Sequence, residues 1–205
     1  MSNLDRLLGE STDPAQFAGA YLDYLSRLLG RLDRKAIASF IEELELARRR
    51  QSTVFVVGNG GSAATASHMA NDFGVGTRAA DGGLPYRVLA LTDNVAAMTA
   101  IGNDDGYEHV FVYQLRIHYR AGDLLVAISA SGNSPNVVAA AEWVKRQGGK
   151  VLGLVGFDGG ALKRLCDVLI HAETPKGEYG PVEDVHMILD HLVYTWLRNR
   201  VATNA

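Results

Sequence analysis

The amino-acid sequence predicts an α/β fold: a doubly wound, five-stranded parallel sheet flanked by helices, with two leading helices ahead of it. Two observations carry that expectation. Five short runs, TVFVVG (53–58), YRVLAL (86–91), LLVAIS (124–129), KVLGLV (150–155) and DVLIHA (167–172), are β-branched and almost wholly apolar, as strands in a sheet covered on both faces must be. Helical stretches separate most of them, at about 62–73, 94–101 with 107–119, and 135–147, and such alternation is the signature of the doubly wound class.

The leading helices read from periodicity. From Asp13 to about Arg31 the apolar residues Phe17, Tyr21, Leu22, Leu25, Leu28 and Leu29 recur at helical spacing. A second helix starts after Asp33 as N-cap, with Ile37, Phe40, Ile41, Leu44 and Leu46 as its apolar residues. Both need a partner surface, on their own domain or on another subunit. We assign residues 1–52 to an N-terminal helical segment serving oligomerisation and 53–205 to one ligand-binding unit. After the last strand come the loop TPKGEYG and a long helix from about Pro181 to Asn199, with the proline in the first turn, where a missing N–H is harmless.

Composition narrows the function. The 47% hydrophobic content of 205 residues suffices for one sizeable core, and 22 glycines against 5 prolines point to tight turns rather than disorder. Acids number 23 and bases 20, so the clustered Lys and Arg on which nucleic-acid binding relies are missing. The densest basic run, Arg48-Arg49-Arg50, suits the last turn of a helix, where cations complement the dipole. A single cysteine, Cys166, excludes an intramolecular disulfide and a thiolate zinc cluster. The segment MSNLDRLLGESTDP lacks a basic-then-apolar leader pattern, and no apolar run approaches ~18 residues. A cytoplasmic protein without membrane attachment is the expectation.

Two Gly/Ser loops point further. GNGGSAA (58–64) leaves the first strand and SASGNSPN (129–136) leaves the third, each before a helix. Ligands of parallel α/β sheets bind outside the carboxyl ends of the strands, and free N–H groups at a helix start form an anion site. Ser62, Ser129, Ser131 and Ser134 add hydroxyl donors, so a terminal phosphate suits the pair of loops. Gly58, Gly60 and Ala63 also match the dinucleotide fingerprint G-x-G-x-x-A. That motif expects an acid ~20 residues on, whereas Asp93 lies about thirty residues further, and a second serine loop is superfluous for a pyrophosphate.

Ionisable residues gather on two helices. His68 and Asp72, at i and i+4, share a helical face. PVEDVHMILDHLVYTWL carries Glu183, His186 and His191, with Glu183 and His191 eight apart and nearly aligned on an otherwise apolar helix. His68, Asp72, Glu183 and His191 make a plausible divalent-metal set, since zinc accepts imidazole nitrogen and carboxylate oxygen. The same groups equally suit a general base and a general acid. His186, off the Glu183–His191 line, fits a supporting or interface role.

The chain resembles the sugar isomerase (SIS) family, and within it the phosphoheptose isomerases. VVGNGGSAATASHMANDF, ALTDNVAAMTAIGNDDGYEHVF, AISASGNSPNVVAA, GLVGFDGGALKRL and VEDVHMILDHL carry the resemblance, in order, over nearly all of residues 53–197. It implies interconversion of sedoheptulose 7-phosphate and D-glycero-D-manno-heptose 7-phosphate by a zinc-dependent homotetramer with sites shared between subunits. Ser62, Ser129, Ser131 and Ser134 would hold the phosphate, with Gly60, Gly61 and Asn133 in the same loops. His68 would be a metal ligand, Asp72 ligand and catalytic base, His191 ligand and acid/base. Glu183 would meet metal and substrate, and Asn59 and Asp104 would line the sugar site. Asp72 is one methylene shorter than the glutamate the family places there, and Glu183 replaces a glutamine. Two alternatives stay open: a non-catalytic SIS regulator binding a sugar phosphate and a protein partner, and an isomerase of another sugar phosphate.

Overall fold

The computed structural model of the chain describes residues 2–78 and 84–203. Its centre is a parallel sheet of β1 (Thr53–Val57), β2 (Arg87–Ala90), β3 (Leu124–Ser129), β4 (Lys150–Phe157) and β5 (Val168–Glu173), in the spatial order β2-β1-β3-β4-β5. All four pairings are parallel, with Val54 between Val88 and Leu124. The chain starts in the interior, steps one way to β2, then crosses back over β1 to reach β3. That reversal opens a crevice between the carboxyl ends of β1 and β3, where ligands of such sheets bind. Both Gly/Ser loops leave from there.

Alternation along the strands sorts the core into two layers. Val54, Val56, Val126, Ile128, Leu152 and Leu154 point to one face. There they meet α2 (Pro14–Gly30) through Leu28, α3 (Arg34–Arg49) through Phe40 and Leu44, α4 (Gly61–Met69) through Met69, and α9 (Tyr179–Thr203) through Val185 and Leu189. Phe55, Val57, Leu125, Ala127 and Val155 point to the other face. They meet α6 (Val110–His118) through Phe111 and Leu115, α7 (Pro135–Arg146) through Val137 and Val144, and the short α8 (Leu162–Leu165) through Leu162. Each fully buried side chain of this kind stabilises the fold by roughly 1.5–3 kcal/mol.

The leading helices therefore insert their inner faces into this chain's own core. Asp13 and Asp33 cap α2 and α3, each accepting from two backbone N–H groups of the first turn. A further short helix, α1 (Asn3–Glu10), precedes them, nucleated by a capping box between Ser2 and Asp5. The α1 and α2 segments grip the start of α9. Tyr24 Oη and the Asn3 N–H donate to the buried Glu178 carboxylate, and Tyr21 Oη donates to Asp184. Burial, and then the Glu178 bond, raise the Tyr24 phenol to about 12.

The helix expected over 62–73 is α4 followed by a π-helical stretch, Ala70–Gly76, which carries Asp72. Short π segments frequently mark functional positions. The β2 edge is thinly covered: Leu89 is exposed, and α5 (Val95–Asp104) buries none of its residues.

Candidate active site

The loop after β1 turns into α4 through Gly60, whose φ of +54° falls in the left-handed region that favours glycine. Gly61 follows, and a Cβ there would lie 2.2 Å from a Glu183 carboxylate oxygen. The Glu183 side chain is thus seated against the loop backbone. Burial, and then the Asp184 charge, raise the Glu183 pKa above the usual carboxylate range.

The loop after β3 is braced from within. Ser129 Oγ lies 3.0 Å from Ser134 Oγ and 3.4 Å from Ser131 Oγ, so three hydroxyls converge. Asn133 holds the loop shut: its amide donates to the Ser131 carbonyl (3.1 Å), and its side-chain oxygen accepts from the Ala161 N–H (2.9 Å). Gly132, at φ +64°, lets the Gly159 backbone pass so close that a Cβ would stand 2.0 Å from its carbonyl oxygen. Pro135 then starts α7, supplying a pre-set first turn.

Between the loops lies a cleft of about 130 Å³, lined by Asn59, Ser62, Ser129, Ser131, Ser134 and Glu183, with Tyr179 at its rim. Asn59 is fixed by a reciprocal amide pair with the buried Asn136 (2.8 and 2.9 Å) and by the Tyr107 hydroxyl (3.1 Å). The polar lining and the two helix starts suit an anion carrying several acceptor oxygens. Asp104 lies elsewhere, exposed at the end of α5 with its carboxylate accepting from Asn103 (2.7 Å).

A second polar group forms where α4 and the π-helical stretch meet α9. His68 Nε2 lies 3.3 Å from His191 Nε2, 3.4 Å from Asp72 Oδ2 and 3.7 Å from Asp190 Oδ2. One donor atom from each of His68, Asp72, Asp190 and His191 can be chosen so that all lie within 4.8 Å of one another. Asn71 donates to the other oxygen of Asp72 (3.1 Å). Asp190 is fully buried, and neither of its oxygens has a hydrogen-bond partner among the described residues. Burial, and then the Asp72 charge, push its pKa up to about 7. Two imidazoles and two carboxylates aimed at one point, with orphaned oxygens among them, are a donor set that fits a divalent cation.

His68, Asp72 and His191 are brought together as the sequence suggested. Glu183, expected as the fourth donor, lies apart from that group and faces the serine cleft instead. Eight residues of helix separate it from His191 by ~12 Å along the axis. Asp190 was missed: an acid beside His191 reads from sequence as an ordinary polar neighbour, although its position amid Ile188, Leu189, Leu192 and Val193 was a signal. Asn136 and Tyr107 were missed as well. His186 is buried against the sheet, and burial lowers its pKa to about 4, the Val155 backbone opposing.

Comparison with known proteins agrees with this architecture. The SIS-domain profile matches residues 20–156. The chain belongs to the SIS-domain family. Its SIS-fold relatives include the phosphoheptose isomerase of Aneurinibacillus thermoaerophilus, 36% identical over 180 residues, covering 88% of this chain and 85% of that one. The phosphoheptose isomerase of Rhodospirillum rubrum is 38% identical over 158 residues, covering 77% and 82%. Among solved structures, the phosphoheptose isomerase of Neisseria gonorrhoeae superposes with a TM-score of 0.80 at 29% identity, covering 91% of this chain and 100% of that one. No helix among the described residues is long and apolar enough to cross a membrane.

Proposed function

We propose that the protein is a phosphoheptose isomerase, converting sedoheptulose 7-phosphate to D-glycero-D-manno-heptose 7-phosphate. The observation that carries the reading is that α9 joins two chemistries: Glu183 borders the serine cleft, and two turns later His191 enters the His/Asp group. A phosphate at one end and an aldose–ketose centre at the other require that pairing. The names of the SIS relatives support the same activity.

In this reading Ser129, Ser131, Ser134 and Ser62, with the Gly60 and Gly61 backbone, grip the phosphate. That remote binding energy positions C1 and C2. Asn133 holds the serine loop in shape, while Asn59 and Glu183 face the sugar hydroxyls. Asp72 removes the proton from one of the two carbons and returns it to the other, passing through an enediol. His191, exposed and close to His68, assists ring opening and moves the proton between the oxygens. His68, Asp72 and His191 would hold zinc, which would supply Lewis-acid stabilisation of the developing oxyanion. Asp104, which does not line this chain's cleft, would meet the sugar from a neighbouring subunit of the assembly.

A homotetramer in the cytoplasm completes the proposal. It is supported by apolar side chains left in the open on this chain, including Leu89 on the sheet edge, Val95 on α5 and Leu192 on α9.

The test is an isomerase assay with sedoheptulose 7-phosphate, run with added zinc and after chelation. Zinc-dependent appearance of the aldoheptose phosphate is expected. Absence of turnover, with the sugar phosphate still raising the melting temperature, would leave the serine cleft in place and overturn the isomerase.

A further inference from the structure

We propose that Asp190 is a metal ligand of this chain, taking the fourth position in the donor set, and that Glu183 belongs to the substrate cleft alone. The inference rests on the reading that the His/Asp group takes a divalent cation. Three observations lead to it.

First, the Asp190 carboxylate is fully buried with both oxygens unpartnered among the described residues. An ionised carboxylate in that state needs a counter-charge, because burial strips its hydration and nothing local replaces it. The nearest cation-capable group is His68 Nε2 at 3.7 Å, too far for a hydrogen bond. One oxygen of this carboxylate nevertheless lies within 4.8 Å of donor atoms from His68, Asp72 and His191.

Second, the spacings about His68 are close to those of a coordination shell. Ligand atoms 2.0–2.2 Å from a tetrahedral zinc stand ~3.4 Å from one another. His68 Nε2 lies 3.3 Å from His191, 3.4 Å from Asp72 and 3.7 Å from Asp190.

Third, Glu183 is otherwise engaged. Its carboxylate is seated against Gly61 and lines the serine cleft. The two acids therefore divide the work: Asp190, buried beside His68, would meet the ion, while Glu183, in the serine cleft, would meet the sugar. Two neutral imidazoles with two carboxylates balance a dication's charge.

The experiment starts from metal-stripped full-length protein titrated with Zn²⁺ by calorimetry and with Co²⁺ by visible absorption. Wild type is expected to bind one ion per chain. Asp190→Asn should weaken Zn²⁺ by more than the roughly 10- to 100-fold that an outer-shell change costs and should alter the Co²⁺ spectrum. Glu183→Gln should bind Zn²⁺ within about threefold of wild type, yet lose most of the melting-temperature rise given by sugar phosphate. The reverse pattern, with Asp190→Asn unaffected and Glu183→Gln defective in Zn²⁺ binding, overturns the proposal. So does a wild-type chain that binds no ion. Should Asp190→Asn fail to fold, a zinc-soaked crystal of wild type decides: a zinc–oxygen contact from Asp190 supports the assignment, and one from Glu183 in its place refutes it. Intact ion binding without isomerisation would remove the proposed activity and leave Asp190 as a ligand.

Discussion

Gly61 offers a way to move one functional carboxylate without touching it. A methyl group at this position would stand 2.2 Å from Glu183 Oε2 and 2.4 Å from its Cδ. Ordinary contact is about 3.5 Å, so the carboxylate must retreat by roughly 1.2 Å. The atoms that give way are the far end of a flexible side chain, and alanine suits a helix better than glycine by roughly 0.5–1 kcal/mol. Gly61→Ala should therefore melt within a few degrees of wild type. Its effect falls on geometry: a displacement near 1 Å at a reacting site costs on the order of 10²-fold in rate. Steady-state kinetics on sedoheptulose 7-phosphate should give kcat/KM lowered by about that factor. The decisive arm is the same change in a Glu183→Ala background, where no carboxylate remains to be displaced. There Gly61→Ala should cost less than about threefold, since the two sites couple through a single contact. Equal losses in both backgrounds would mean the methyl acts through the loop backbone or the ligand, and the reasoning would fail.

Asp72→Asn and His191→Ala should each lower kcat by about 10²- to 10⁴-fold, while sugar phosphate still raises the melting temperature; wild-type turnover in either variant refutes the acid–base assignment. Gly132→Ala should unseat the serine loop, because the new Cβ meets the Gly159 carbonyl at 2.0 Å in a left-handed conformation. A melting temperature lowered by at least ~4 °C and loss of the sugar-phosphate shift are expected, and an unperturbed protein would contradict the packing described. For His186, burial holds the folded pKa at about 4, below the ordinary 6.5. The unfolded chain takes up the proton first, so this group's contribution is complete above ~6.5 and is lost as pH falls toward ~4. The loss is on the order of 3 kcal/mol. Urea unfolding at pH 4.5 and 7 should show His186→Gln less acid-sensitive than wild type, and an unchanged difference would refute the burial argument.

The sheet was legible because its strands are apolar on both faces, which no surface helix of this length tolerates. Even so, β4 runs on to Phe157, two residues past the expected end, because the chain there continues to pair with β5 through Glu173. α1 escaped notice: eight residues with one buried leucine leave little periodicity, and its stability comes from the Ser2–Asp5 capping box and the docking of Asn3 on Glu178. The π-helical stretch is invisible to a pattern of hydrophobic spacing. In the site, the serines and the His68–Asp72 pair were readable because loop chemistry and i, i+4 geometry are local. Which of Glu183 and Asp190 approaches His68 depends on how α9 crosses α4, and that is a tertiary fact. Asn136 was hidden for a related reason: it looks like the first turn of a helix, and its pairing with Asn59 bridges 77 positions of sequence.

The long helix α9 acts as a ruler for the molecules this enzyme accepts. Glu183 at one mark and His191 at another ride on a single rigid rod, whose lower end is clamped by Tyr21 and Tyr24. Inserting one residue between the marks would swing one set of side chains by about 100° relative to the other, so the rod cannot be lengthened in small steps. A lineage adapting to a shorter or longer sugar is thereby pushed to remodel the loops at either end and to leave the helix alone.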